Sequence, residues 1–213
     1  MSLVDPTPAL LARLRDEIKR IERRPARREG QLACGIEGVD ALLPGGFPCG
    51  ALSELRGGPS SGKTAVALAT IARLPRGALA AFVDGRGELY PPAAAALGVD
   101  LGRLLIVRPP GGEAGFRLAL WATEALLGSG AFAVVAVDAP RGRPFRGAEV
   151  ALRRLTTAAE QGGAVGLWLS SPGATLRPPA LVRLDLRSEQ GRIAARRAGG
   201  QAGPARAGGI HAA

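Results

Sequence analysis

The apolar positions of this chain follow two patterns. Compact apolar runs occur at residues 51–55, 78–84, 104–107, 132–138 and 165–170. Short runs of this kind, rich in Leu, Val and Phe, predict strands buried on both faces. Helical spacing is clearest at 64–74, where Val66, Ala67, Ile71 and Leu74 share one face. Helices are also predicted over 92–97, 114–127 and 147–161. Residues 180–186 and 192–196 predict a terminal hairpin. At the other end, Leu10, Leu11, Leu14, Ile18 and Ile21 make the apolar stripe of an amphipathic helix over 8–24, closed by Pro25. From Ala198 onward Gly, Ala and Arg follow no period. The expected organisation is an N-terminal helix and basic linker (1–30), a core (31–197) and a disordered basic tail (198–213).

Strands alternating with helices predict an α/β fold, a mostly parallel central sheet flanked by helices. Ligands of such sheets bind at the C-terminal ends of the strands. Residues 57–64, Asp84, Asp138, Ser170 and Ser171 all fall there.

Composition narrows the picture. The 213 residues suffice for one α/β domain, and with aromatics at only 4% the core must be built from Ala, Leu and Val. No apolar stretch is long enough to span a bilayer, and the N-terminus lacks the apolar core of a signal peptide, so a cytoplasmic protein is expected. Cys34 and Cys49 have no metal or redox spacing and are expected to be reduced. The single histidine, His211, lies in the tail, which removes histidine chemistry from the core. The net charge of +10 suits nucleic acid or an acidic protein partner. It equally suits an arginine-biased solvated surface, because the aromatic interleaving of single-strand stacking platforms is missing.

Lysine is rare: 26 of the 28 basic residues are arginine. One of the two lysines, Lys63, sits in Gly57-Gly58-Pro59-Ser60-Ser61-Gly62-Lys63-Thr64, which matches G-x-x-x-x-G-K-[ST] at every fixed position. The glycines let successive N–H groups face inward as an anion nest, and the following helix adds the positive end of its dipole. A compact ammonium fits between β- and γ-phosphates where a planar guanidinium does not. Ser60 and Ser61 complete the loop, and Thr64 would offer its hydroxyl to Mg²⁺. A chance match in a Gly-rich chain is the bland alternative; the strand before the loop and the helix after it argue against it. Asp138 closes an apolar strand, as the second acidic motif of phosphate-loop NTPases does, and would hold Mg²⁺ directly or through water. A strand-end cap is the alternative role.

Three stretches resemble a RecA-type recombinase core: 43–68 (LPGGFPCGALSELRGGPSSGKTAVAL), 81–107 (AFVDGRGELYPPAAAALGVDLGRLLIV) and 131–138. The likeness covers residues 32–190. It implies a RecA-like phosphate-loop core, ATP and Mg²⁺ as ligands, and action on single-stranded DNA. Departures from the family pattern are as informative. The family's catalytic glutamate, two residues past the aspartate ending the second strand, falls on Arg86, and an arginine is no base at pH 7. Its Asn-Gln pair, whose glutamine senses the γ-phosphate, falls on Ser170-Ser171, and a serine is too short to span the same gap. The family's long DNA-binding loop is cut to residues 172–179, and no counterpart of its C-terminal domain is expected.

This pattern of wear resembles the ImuA-type proteins, short RecA-like accessories of damage-inducible mutagenesis. That resemblance implies a role in the SOS response and error-prone translesion synthesis. It implies RecA recombinase, a polymerase-like hub protein and an error-prone polymerase as partners, and a nucleoid-associated location. Against this accessory stands an active DNA-dependent ATPase or recombinase with Glu88 as substitute base; the alternative for Glu88 is an exposed loop residue. A small-molecule kinase is disfavoured, because no lid with clustered arginines is recognisable. Arg141, Arg143 and Arg146, just past the Asp138 strand, are the candidate DNA or partner contact through phosphates; an arginine-rich solvated loop is the alternative.

Overall fold

The computed structural model describes residues 30–43, 45–140, 145–189, 192–198 and 207–208. The predicted N-terminal helix, with the basic run up to residue 28, lies outside the described residues, as do Arg141 and Arg143 and nearly all of the tail.

A small antiparallel pair opens the described chain: β1 (Gln31–Leu32) with β2 (Phe47–Pro48). Between them lies the single turn α1 (Glu37–Asp40). It is fixed by the Asp40 carboxylate, which accepts from the backbone N–H of Cys34 at 2.9 Å and of Gly35 at 2.8 Å. The main body follows as β3 (Ala51–Arg56), α2 (Lys63–Ala72), β4 (Leu79–Asp84), α3 (Pro91–Ala96), a 3₁₀ turn (Leu101–Arg103), β5 (Leu104–Val107), α4 (Gly112–Gly128), β6 (Phe132–Asp138), α5 (Ala148–Gly162), β7 (Val165–Ser170), β8 (Val182–Glu189) and β9 (Arg192–Arg197). The two residues of β10 (Ala207–Gly208) pair antiparallel with β9, inside the stretch expected to be unstructured.

The sheet order is β10-β9-β8-β3-β7-β6-β4-β5. From β8 to β5 every pairing is parallel; only β9 and β10 run antiparallel to their neighbours. This is the mostly parallel, helix-covered sheet predicted above. Alternation along each strand sorts side chains to two faces. Phe82, Val134, Ala136, Leu167 and Leu184 pack with Val66, Ala67 and Ile71 of α2. Val83, Val135, Val137 and Trp168 pack on the opposite face with Phe116 and Leu120 of α4 and Leu152 and Leu155 of α5. Gly162 lets α5 approach α4 closely, since a Cβ there would strike the Leu127 carbonyl. Gly163, at φ 69°, ends α5 in the left-handed conformation. The fold therefore delivers the ends of β3, β4, β6 and β7 to one rim. No helix among the described residues is long and apolar enough to cross a membrane.

Candidate functional site

The loop from Gly57 to Gly62 leaves β3 and feeds α2 at the rim. Gly57 is required there, because a Cβ would collide with Ser61 Oγ and with the Leu186 carbonyl 2.5 Å away on β8. Ser60 is the only non-glycine with positive φ among the described residues, at 56°, and Gly62 follows at 90°. Such single left-handed residues turn consecutive N–H groups toward one centre. Strain at a non-glycine residue of this kind is characteristic of functional loops. Lys63 is the first residue of α2, and its Nζ donates to the carbonyls of Gly57 and Gly58, both at 2.8 Å, and approaches Ser61 Oγ at 3.4 Å. Burial pulls the ammonium below its ordinary value; Asp138 and Glu88 pull it back up, and Arg86 pushes it further down. Thr64 is exposed at the head of the helix.

Across the rim, β4 and β6 end side by side with Asp84 opposite Asp138. The two carboxylates have different occupations. Asp84, 1% exposed, accepts from the N–H of Glu88 at 3.0 Å, the N–H of Leu89 at 3.2 Å and Arg108 Nε at 3.0 Å. It is consumed in holding the turn after β4. Asp138 is free of such bonds but faces Arg86 Nη1 at 3.8 Å. Its carboxyl is pushed up to about 6, mainly by burial, with Glu88 and Asp84 adding and with Arg86 and Lys63 opposing. Glu88 is half-exposed and sits 3.4 Å from Arg86 Nε. Lys63, Arg86, Glu88 and Asp138 thus form one electrostatic cluster at the mouth of the loop. The glutamate position of the family pattern is filled by a guanidinium aimed at the acid expected to take magnesium, and Glu88 faces the same guanidinium.

Ser170 is turned to the sheet face away from α2, where its hydroxyl donates to Glu54 Oε1 at 2.7 Å. Glu54, buried in β3, also accepts from Arg183 Nε at 2.9 Å, and Arg183 reaches the Pro178 carbonyl at 2.8 Å. This lock joins β3, β7, β8 and the 172–179 loop. Sequence reasoning missed it; the one signal was an acid between Ser53 and Leu55 in the middle of the strand. Ser171 borders a cavity of about 300 Å³ with Arg86, Trp168 and Thr175. Arg146 is exposed just before α5. The remaining two arginines of that candidate patch are outside the described residues.

A strand, a glycine-rich loop with an inward lysine, a helix and an acid ending a nearby parallel strand define the phosphate-loop class of α/β domains. Within that class the relationship is specific. The RecA N-terminal domain family matches residues 16–142, more than half of the chain, and the chain belongs to that family. Protein RecA of Staphylococcus carnosus (strain TM300) is 43% identical over 115 residues, which cover 53% of this chain and 31% of the relative. Protein RecA of Streptococcus pyogenes serotype M49 (strain NZ131) is 39% identical over 123 residues, covering 57% and 32%. Protein RecA of Levilactobacillus brevis (strain ATCC 367) is 44% identical over 110 residues, covering 51% and 27%. The matched part of this chain spans about a third of the length of these curated relatives.

Proposed function

We propose that this chain is a RecA-like accessory of ImuA type, which holds ATP at Gly57, Ser60, Ser61, Gly62, Lys63 and Thr64 and hydrolyses it little or not at all. The carrying observation is Arg86. It stands at the position expected of the catalytic glutamate, and it faces Asp138 at 3.8 Å and Glu88 at 3.4 Å. A water-activating base is thereby exchanged for a permanent cation. The Ser170–Glu54 bond supports the same reading. The glutamine of the family pattern falls on the next residue, Ser171, whose side chain is too short to span to a γ-phosphate, and its neighbour Ser170 is bonded into the sheet, so nucleotide state and DNA are uncoupled in this reading. Thr64 and Asp138 are the positions at which the family's Mg²⁺ would sit.

In this reading the partners are RecA recombinase, a polymerase-like hub protein and an error-prone polymerase. The setting is the cytoplasmic nucleoid during translesion synthesis in the DNA damage response. Single-stranded DNA is met through phosphate contacts of Arg141, Arg143 and Arg146. The test is sedimentation of the purified chain with RecA filaments on single-stranded DNA. Co-sedimentation that persists with Lys63→Ala supports a scaffold; no association with RecA or with the polymerase proteins contradicts it.

A second reading, an active DNA-dependent ATPase or recombinase, draws on one observation: Glu88 is half-exposed and belongs to the cluster that contains Lys63 and Asp138. It requires that Glu88→Gln abolish DNA-stimulated turnover while leaving ATP binding intact.

A further inference from the structure

Arg86 reaches Asp138 because of a close backbone approach. The Gly85 N–H donates to the Asp138 carbonyl at 3.1 Å, and a Cβ on Gly85 would lie 2.6 Å from that same oxygen. The glycine lets the ends of β4 and β6 come together, and the next side chain falls over the Asp138 carboxylate. Arg86 is 15% exposed, and its Nε is buried with no hydrogen-bond partner; its approaches to Glu88 and Asp138, at 3.4 and 3.8 Å, are ion pairs longer than hydrogen bonds. The Nε is inaccessible to a ligand, but the side chain keeps 15% of its surface exposed near Lys63, where the terminal nitrogens of the guanidinium are suited to a phosphate oxygen.

The charge balance of the cluster points the same way. Lys63 and Arg86 are cations, and Asp138 and Glu88 are anions; the four cancel. A carboxylate at position 86, which the resemblance implies for the family, would leave three acids facing one lysine, a set that calls for a divalent cation. Asp84 cannot restore that set, because its oxygens are taken by two backbone N–H groups and Arg108. No group of three or more His, Cys, Asp or Glu arranged to hold a metal ion occurs among the described residues.

Resting on the nucleotide reading above, we propose that Arg86 takes the place of the magnesium ion, so that this chain binds the metal-free nucleoside triphosphate. The guanidinium neutralises Asp138, which would otherwise repel the phosphates. With Lys63 it presents a second fixed positive charge to the β- and γ-oxygens. A magnesium ion entering there would meet the guanidinium's charge instead of an open carboxylate.

The experiment is calorimetric titration of the full chain with ATP, once in excess EDTA and once in excess Mg²⁺. The wild-type Kd is expected to agree within about threefold between the two. Arg86→Ala is expected to weaken binding at least about tenfold in EDTA, with Mg²⁺ recovering much of the loss at the uncovered Asp138. Arg86→Lys keeps a cation and is expected to fall between the two; thermal melting of each variant verifies that it is folded. Wild-type binding that is tenfold or more tighter with Mg²⁺ overturns the exchange and leaves nucleotide binding standing. Equal weakening of Arg86→Ala under both conditions also overturns it. Binding absent in both conditions overturns the exchange together with the nucleotide reading.

Discussion

The lock between β3, β7 and β8 makes an asymmetric prediction. Glu54 is 1% exposed, and its two oxygens are taken by Ser170 Oγ at 2.7 Å and Arg183 Nε at 2.9 Å. The side chain of Arg183 is 32% exposed, so water reaches part of it. Removing one partner is therefore different from removing the other. Arg183→Met leaves an acid in the sheet with only a hydroxyl for company, and such an uncompensated buried charge costs about 3–5 kcal/mol. Glu54→Gln keeps shape and an acceptor for Ser170, and the stranded arginine remains hydrated and bonded to Pro178. Its cost is about 1–2 kcal/mol, the loss of one charge-assisted bond. Urea unfolding followed by far-ultraviolet circular dichroism measures both, with the slope compared to verify an unchanged unfolded state. The double variant should cost less than the two single costs added, because a neutral amide in place of the Glu54 carboxylate relieves the loss of Arg183. A larger cost for Glu54→Gln than for Arg183→Met, or strict additivity of the two, refutes this reasoning.

Other outcomes follow from single features. Asp138 holds its proton more tightly when folded, with its carboxyl pushed from 3.8 to about 6, so its effect on stability is most favourable in acid and is lost as pH rises through about 6. Asp138→Asn should flatten that part of the profile and stabilise the ligand-free chain at pH 8 by at most about 3 kcal/mol; an unchanged slope between acid and neutral pH contradicts this. Cys34 is 1% exposed and its thiol is pushed up to about 12, chiefly by burial, whereas Cys49 is half-buried. A chromogenic disulfide reagent at pH 8 should titrate one thiol in the folded protein and the second only in denaturant; rapid reaction of both refutes the placement. Gly85→Ala forces the ends of β4 and β6 apart and should cost about 2 kcal/mol while also weakening ATP binding; a neutral result refutes the close approach.

What the sequence showed depended on how local the cause was. Strands β4, β6 and β7 were legible because each is a short apolar run, almost wholly buried; β5 was legible by its apolar run too, although it is the sheet edge and leaves Leu105 45% exposed. The loop was legible because its residue types are dictated by one turn and one charge. The antiparallel β1–β2 pair was not, being two residues a strand with a proline in it. α1 was not, since its single turn is set by Asp40 reaching back to Cys34 and Gly35. The order of strands in the sheet is a tertiary property with no local signature. The partners of the site were hidden for the same reason: Ser170 lies 116 residues from Glu54, Arg183 lies 129, and Arg108 lies 24 from Asp84. Arg86 was visible as a departure from a family pattern, but its approach to Asp138 follows from the register of β4 on β6.

The central claim is a RecA-like core that holds nucleotide without a working hydrolytic centre. Its most direct test is ATP binding and turnover by the purified chain, with and without single-stranded DNA, beside Lys63→Ala. The account predicts binding that Lys63→Ala abolishes, with turnover in both proteins at the same background level whether or not DNA is present. Hydrolysis stimulated by DNA in the wild type and lost in Lys63→Ala would contradict it and make the chain a working ATPase.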